Sequence, residues 1–227
     1  MVSPLAGFDK TAQIDTRSLI APLDRLLSTW PDLVHLSPKF SIGLDGGERL
    51  SVRSQPNDLR FINHKGAFHL RLANQTFRLL PQNTVQVVQA LIEVYLARVD
   101  RHLPKPPRFA QLLTQAGLES FAQAIAPWTT ALELPDETPA PRSQTMPVGL
   151  FPGQGKLQSI ALALPLGQIS LEQLRGLATL VSDRGAGVLH LTPWRNLVLP
   201  GIEDLEAVDR VLHSLQLSRD LEIPGGS

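Results

Sequence analysis

The chain has 227 residues, 43% of them hydrophobic, with 21 basic and 21 acidic side chains and no cysteine. That length and hydrophobic content are enough for one large core or two modest ones, and the balanced charge excludes a global pull toward nucleic acid or an anionic membrane. The lack of cysteine excludes disulfides, thiolate nucleophiles, zinc ribbons and cysteine-ligated clusters from this chain.

No apolar run approaches the roughly 20 residues that span a bilayer, and "MVSPLAGFDK" lacks a basic start followed by an apolar stretch, so a cytoplasmic protein is expected. The 19 prolines exceed the usual share of about 5% and are spread among periodic segments, which predicts short, stiff connections.

In chain order, "DTRSLIAPLDRLLSTW" predicts a first helix, capped by Asp15 or Thr16, with Leu19, Leu23, Leu26, Leu27 and Trp30 at helical spacing and Pro31 as its stop. "KFSIGLDGG" alternates, placing Phe40, Ile42 and Leu44 on one face of a strand and Lys39, Ser41 and Gly43 on the other. "DLRFIN" and "AFHLRLAN" flank the turn "NHKG" as a hairpin, with Phe68, Leu70 and Leu72 sharing a face opposite His69 and Arg71. "NTVQVVQALIEVYLARVD" predicts a long helix with a stripe of Val85, Val88, Ile92, Tyr95, Leu96 and Val99. Two shorter helices joined around Gly117 follow in "KPPRFAQLLTQAGLESFAQAIAPW".

Residues 135–147, "PDETPAPRSQTMP", are polar, proline-rich and without pattern, as expected of a linker. Beyond them, strand "LQSIALALPLG", helix "SLEQLRGLATLVSDR" and strand "GVLHLTPWRNLVLPG" form a β-α-β unit. In its helix, Ser170 and Gln173 match a capping box, and Leu171, Leu174, Ala178 and Val181 are the expected buried stripe. A last helix covers about 203–216, with Leu205, Val208, Leu212 and Leu215 at helical spacing, and nothing further is expected of "IPGGS".

The stretch "VLHLTPWRNLVLPG" places polar groups between two apolar runs. Pro193 forces a bend that presents Thr192, Arg195 and Asn196 at a strand end, beside Trp194. A guanidinium fork and an indole face suit a flat polyanion; equally, Trp194 fills a core and Arg195 reaches solvent. Lys39 and Ser41, two apart on one strand face, are placed to touch one anion, or are simply solvated. Arg60, His69 and Arg71 give a basic face to the hairpin, which a solvent-facing strand explains as well. The six histidines show no metal-ligand spacing, so no metal site is expected. "FPGQGKLQ" has the wrong glycine spacing for a phosphate loop and Leu157 where a hydroxyl is needed. No G-x-S-x-G elbow occurs, and no catalytic residue is assigned.

"SPLAGFDKTAQIDTRSLIAPLDRLL" followed by "LSPKFSIGLDGG", then "RFAQLLTQAGLESF", then the run from "VGLFPGQGKLQ" to "LTPWRNLVLPGI" cover nearly the whole chain. Together these stretches resemble the nitrite/sulfite reductase superfamily, and within it the precorrin-3B synthase branch of aerobic cobalamin biosynthesis; "LTPWRNLVLPG" is the most diagnostic piece. The resemblance implies an α+β protein: a siroheme-domain-like α/β unit over 1–134, the linker 135–147, and a ferredoxin-like half-domain with a C-terminal helix over 148–227. It implies an oxidoreductase that hydroxylates a precorrin with dioxygen, a reductant and iron centres.

The family uses siroheme or non-haem iron together with a cluster of the 4Fe–4S type; with no cysteine, none of these is expected to be held by this chain alone. By position, the resemblance assigns contacts to a carboxylate-rich tetrapyrrole to Lys39, Thr192, Arg195 and Asn196, with Ser41 beside them. Ser41 stands where reductases of the family carry a second lysine, which points away from sulfite or nitrite as substrate. The family's other half-domain and its cluster cysteines are not matched, so the expectation is a split or truncated precorrin-3B synthase-like protein working with a partner chain that carries them. The alternatives are a non-catalytic tetrapyrrole-binding or assembly module and a folded remnant. Nucleic acid and membrane are not expected partners.

Overall fold

Helix α1, Arg17–Thr29, turns Leu19 and Leu23 into a core, and the 3-10 turn Pro31–His35 follows where Pro31 ends it. The computed structural model describes residues 1–133 and 147–219. Their contacts divide the chain into two units, one of Met1–Val2, Gln13–Gly47 and Ser51–Pro141, the other of Ser3–Ala12, Glu48–Leu50 and Arg142–Ser227. The second unit thus includes two short pieces from early in the chain.

The first unit is built on a five-stranded sheet in the order β1-β2-β3-β4-β5. Strand β1, Ile42–Asp45, runs parallel to β2, Leu59–His64. Strands β3, Ala67–Leu72, β4, Gln75–Leu79, and β5, Thr129–Leu132, continue antiparallel. The β2–β3 hairpin closes on Lys65 and Gly66, whose φ values of 51° and 79° are the left-handed pair that a two-residue turn between right-twisted strands requires. Alternation works as expected here: Phe68, Leu70 and Leu72 are buried, while His69 and Arg71 are half-buried on the opposite face.

Helix α2, Thr84–Arg98, buries Val87, Val88, Ala90, Leu91, Ile92, Tyr95 and Leu96. It packs against α1 and against the short helices α3, Phe109–Ala116, and α4, Leu118–Ile125. A single cluster with Phe61, Phe77, Phe109 and Phe121 forms this core. The buried band is wider than the predicted stripe and Val85 lies at its margin, because α2 is covered on several sides at once. Strands β4 and β5 were not legible: "QTFRL" is only five residues long, and β5 directly follows a 3-10 turn that holds Pro127.

The second unit has a four-stranded antiparallel sheet in the order β6-β7-β9-β8. Its strands are β6, Gly149–Pro152, β7, Gln158–Leu162, β8, His190–Leu191, and β9, Leu197–Ile202. Helix α5, Leu171–Arg184, joins β7 to β8, and β9 enters between those two strands, so the expected β-α-β unit is a split one. Ser170 caps α5 through Gln173 N–H at 3.1 Å, and the Gln173 side chain accepts from Ser170 N–H at 3.0 Å. Helix α6, Leu205–Ser214, is capped by Asp204.

The buried stripe of α5 differs from expectation. Leu177, Leu180 and Val181 face the core, whereas Leu171 and Leu174 are 63% and 41% exposed. Both sets keep helical spacing, and the one centred on Leu177 is selected because α6 lies against the Gly176 side, where a Cβ would be 2.7 Å from a Leu215 methyl. Strand β6 escaped the sequence reading because it adjoins the proline-rich run. Of the expected linker only Pro147 is described; the rest of it, and the tail from 220, lie outside the described residues.

Candidate functional site

In the first unit the loop Ser37–Ser41 enters β1 and carries Lys39, which is exposed and forms no ion pair among the described residues. Buried Ser37 accepts from Phe40 N–H at its carbonyl, 2.8 Å, and from Lys39 N–H at its hydroxyl, 3.4 Å. The expected alternation does not extend here: β1 starts only at Ile42 and is buried at all four positions, Lys39 lies in a turn before it, and the Ser41 hydroxyl is engaged, donating to Asp58 Oδ2 at 3.3 Å while its backbone N–H donates to the same oxygen at 3.0 Å. The Ser41 carbonyl accepts in turn from Asp58 and Leu59 N–H at 3.0 and 3.1 Å.

The Asp58 side chain is 3% exposed and also takes Arg108 Nη2 at 3.2 and 3.1 Å on its two oxygens. A carboxylate so deeply placed is tolerated when it is paired and fully hydrogen-bonded. Arg108 opens α3, where the Gln111 side chain accepts from its backbone N–H at 2.9 Å. Behind it, Tyr95 donates its hydroxyl to Pro107 O at 2.7 Å and stacks on Phe109 at 6.0 Å, and Phe109 also meets Phe40 at 5.8 Å. Burial pushes the Tyr95 phenol up, helped by the nearby Asp58 charge and opposed by a backbone hydrogen bond with Ser37.

Asp58, Arg108 and Tyr95 were not singled out from the sequence as site residues. Asp58 lies 17 positions from Ser41, and no local spacing announces that contact. The only sign was "ND" directly before a strand, which reads as turn chemistry.

In the second unit the break between β8 and β9 is a tight hairpin. Arg195 N–H donates to Thr192 O at 3.2 Å and Thr192 N–H to Asn196 O at 3.1 Å. This is a turn over Thr192–Arg195 with Pro193 in its second place, followed by Arg195 at φ 61°, the type I turn plus left-handed bulge residue of three-residue hairpin loops. The left-handed place favours glycine, and here it is held by an exposed arginine. Gly167, at φ 67°, leaves room beside it: a Cβ there would lie 3.1 Å from Arg195 Cβ.

The neighbours of Arg195 are used inside the turn. Asn196 is 1% exposed; its Oδ1 accepts from the Thr192 hydroxyl in a short hydrogen bond, and its Nδ2 donates to Pro147 O at 2.5 Å. The Thr192 hydroxyl oxygen also accepts from Trp194 N–H at 3.2 Å. Trp194 is half-buried against a small cluster of Leu5, Leu50, Ala161, Val198 and Phe151. Of the two readings open for this stretch, Trp194 therefore follows the packing one. Thr192 and Asn196, expected to face a ligand, instead close the loop that holds Arg195 out. His190, on β8, lies 2.6 Å through Nδ1 from Pro4 O and touches the Phe8 ring at 5.8 Å.

Among the described residues no three His, Cys, Asp or Glu side chains gather as a metal site, and no helix is long and apolar enough to cross a membrane. The whole sequence has no cysteine, so its donor set does not fit a thiolate-bound iron–sulfur cluster. Lys39 in the first unit and Arg195 in the second are exposed cations, a side-chain type that pairs with carboxylates.

A split β-α-β sheet with a capping helix defines a ferredoxin-like half, and residues 152–215 match the ferredoxin-like half domain of nitrite and sulfite reductases. The chain is 26% identical over 230 residues to a ferredoxin–nitrite reductase of Synechococcus elongatus, covering 90% of this chain and 44% of that protein. It is 27% identical over 234 residues to sulfite reductase [ferredoxin] 2 of Mycolicibacterium paratuberculosis, covering 94% and 41%. The fold is shared with the Mycobacterium tuberculosis NirA protein at a TM-score of 0.74 and 20% identity, over 97% of this chain and 44% of that one. The α+β chain is thus similar to nitrite and sulfite reductases along most of its length, with the half-domain match confined to 152–215, and it spans about two-fifths of the length of the curated relatives it matches.

Proposed function

We propose that this chain binds a carboxylate-rich tetrapyrrole as a precorrin-3B synthase-like member of the superfamily. Lys39 in the first unit and Arg195 in the second are read as carboxylate contacts. The observation that carries the reading is Arg195 itself. Lys65, Ala73, Leu166 and Gln216 also have positive φ, so what distinguishes Arg195 is not the strain but an exposed guanidinium carried at the tip of a closed hairpin. Thr192, Asn196 and Gly167 all support that conformation.

Siroheme or non-haem iron, when bound, supplies the redox chemistry of such enzymes. The part of this chain's residues is to bind and orient the acid side chains of the ring system: Arg195 as a planar fork, Lys39 as a point charge. Cluster thiolates, if the assembly uses them, come from outside these residues, and we take a partner chain as their source. A second reading of the same cations is a tetrapyrrole-binding or assembly module without catalysis of its own.

Titration of the purified chain with uroporphyrin, an acid-rich tetrapyrrole, tests the binding that both readings share. Saturable binding, weakened by Arg195→Ala about tenfold and unaffected by Arg49→Ala, is the expected result. No binding, or equal effects of the two substitutions, overturns it. Should binding hold, oxygen-dependent turnover of a precorrin on addition of the cysteine-bearing partner separates enzyme subunit from module.

A further inference from the structure

We propose that Asp58 and Arg108 are positioning residues for Lys39: their ion pair, between a buried carboxylate and a half-exposed guanidinium, fixes the Ser37–Ser41 loop and with it the point from which the ammonium reaches out. The inference rests on the reading of Lys39 as a carboxylate contact and deepens it. Because Lys39 forms no side-chain ion pair among the described residues, its backbone is what sets the region its ammonium can reach. That backbone is anchored at both ends.

At the near end, Ser37 is 5% exposed and holds the turn through its carbonyl and hydroxyl. At the far end, Asp58 accepts both the N–H and the hydroxyl of Ser41, and the Ser41 carbonyl takes two backbone donors. Between them the Phe40 ring sits on Phe109, the first residue of the helix that Arg108 opens. Thus only Pro38 and Lys39 of this loop are exposed.

A surface loop entering a strand needs no buried charge. Burying the Asp58 carboxylate costs several kcal/mol before its partners offset it. What the pair adds is geometry, since one carboxylate ties the strand that follows Lys39 to a rigid helix start. A charge held in place loses less entropy on meeting its ligand than one on a mobile loop.

A double-mutant cycle read by uroporphyrin titration, with amide hydrogen exchange alongside, tests this. Lys39→Gln and Asp58→Asn should each weaken uroporphyrin binding about tenfold. The double variant should be no weaker than Lys39→Gln alone, whereas Asp58→Asn combined with Arg195→Ala should be additive. Asp58→Asn should also speed exchange at Ser41 N–H about tenfold or more, while amides of the β2–β3 hairpin stay protected. Arg108→Lys, which keeps the charge but not the fork, serves as a milder second variant and should fall between wild type and Asp58→Asn.

Additive effects of Lys39→Gln and Asp58→Asn, or unchanged exchange at Ser41, overturn the positioning role. Failure of the wild-type chain to bind uroporphyrin would instead defeat the tetrapyrrole reading, and the exchange data would still decide whether Asp58 orders the loop.

Discussion

Replacing Asn196 by alanine probes the hairpin from which Arg195 projects. The wild-type amide accepts from the Thr192 hydroxyl and donates to Pro147 O, at a residue 1% exposed. Each such hydrogen bond contributes about 0.5–1.5 kcal/mol net, and a buried carbonyl left without a donor adds about 1–3 kcal/mol of uncompensated desolvation. The Thr192 oxygen still accepts from two backbone N–H groups although its O–H loses an acceptor, and the total is about 2–6 kcal/mol. Asn196→Asp, which retains an acceptor but places a charge next to the Pro147 carbonyl, should cost at least as much. Urea denaturation followed by tryptophan fluorescence reads this as a lower midpoint at unchanged slope. A loss below about 0.5 kcal/mol would mean that the amide does not hold the turn, and the structural basis for an outward-facing Arg195 would fall.

Three further outcomes follow from the same structure. Arg195→Gly should leave stability unchanged or raise it by up to about 1 kcal/mol, because relief of the left-handed strain is offset by unfolded-state entropy, while uroporphyrin binding weakens; a clear loss of stability contradicts the turn assignment. Leu177→Ala should cost about 2–5 kcal/mol and Leu171→Ala less than about 0.5 kcal/mol, by thermal or urea melts, with the reverse order restoring the stripe first expected for α5. Tyr95 is the chain's single tyrosine, and its folded-state value is raised by burial, then by the Asp58 charge. The unfolded chain therefore releases this proton first, so stability should fall as pH rises past the ordinary tyrosine value of about 10 and onward to the raised folded value. Tyr95→Phe should remove that component; an identical alkaline profile in the variant excludes it.

Most elements of the fold were legible because hydrophobic period and turn chemistry agree locally. The β2–β3 hairpin combines strict alternation with a glycine in its turn, and α5 opens on Ser170 and Gln173. Local pattern did not decide which leucines of α5 go inside, since two stripes satisfy the same spacing and only tertiary packing against the sheet and α6 selects one. It also passed over β4, β5 and β6, which are four or five residues long and flanked by turns.

At the candidate site, Lys39 and Arg195 are visible in sequence as cations beside strand-like runs, but pattern alone leaves them equally well explained as solvated, and only the resemblance assigns them to a ligand. Thr192 and Asn196 were noticed as donors and acceptors, but their targets are each other and a distant carbonyl, which no alternation rule encodes. Asp58 is the strongest case. Its partners come from positions 41 and 108, joined only by tertiary folding, and ion pairs at such separations have no one-dimensional signature.

The central claim is recognition of acid side chains on a macrocycle. Titrating the wild-type chain in parallel with uroporphyrin and with coproporphyrin, which carries half as many carboxylates on the same ring, isolates that feature most directly. Tighter binding of uroporphyrin, with a steeper loss of affinity as salt is raised, is the outcome predicted by contacts through Lys39 and Arg195. Equal affinities with the same salt dependence would contradict it, since the ring rather than its acids would then be what the protein holds.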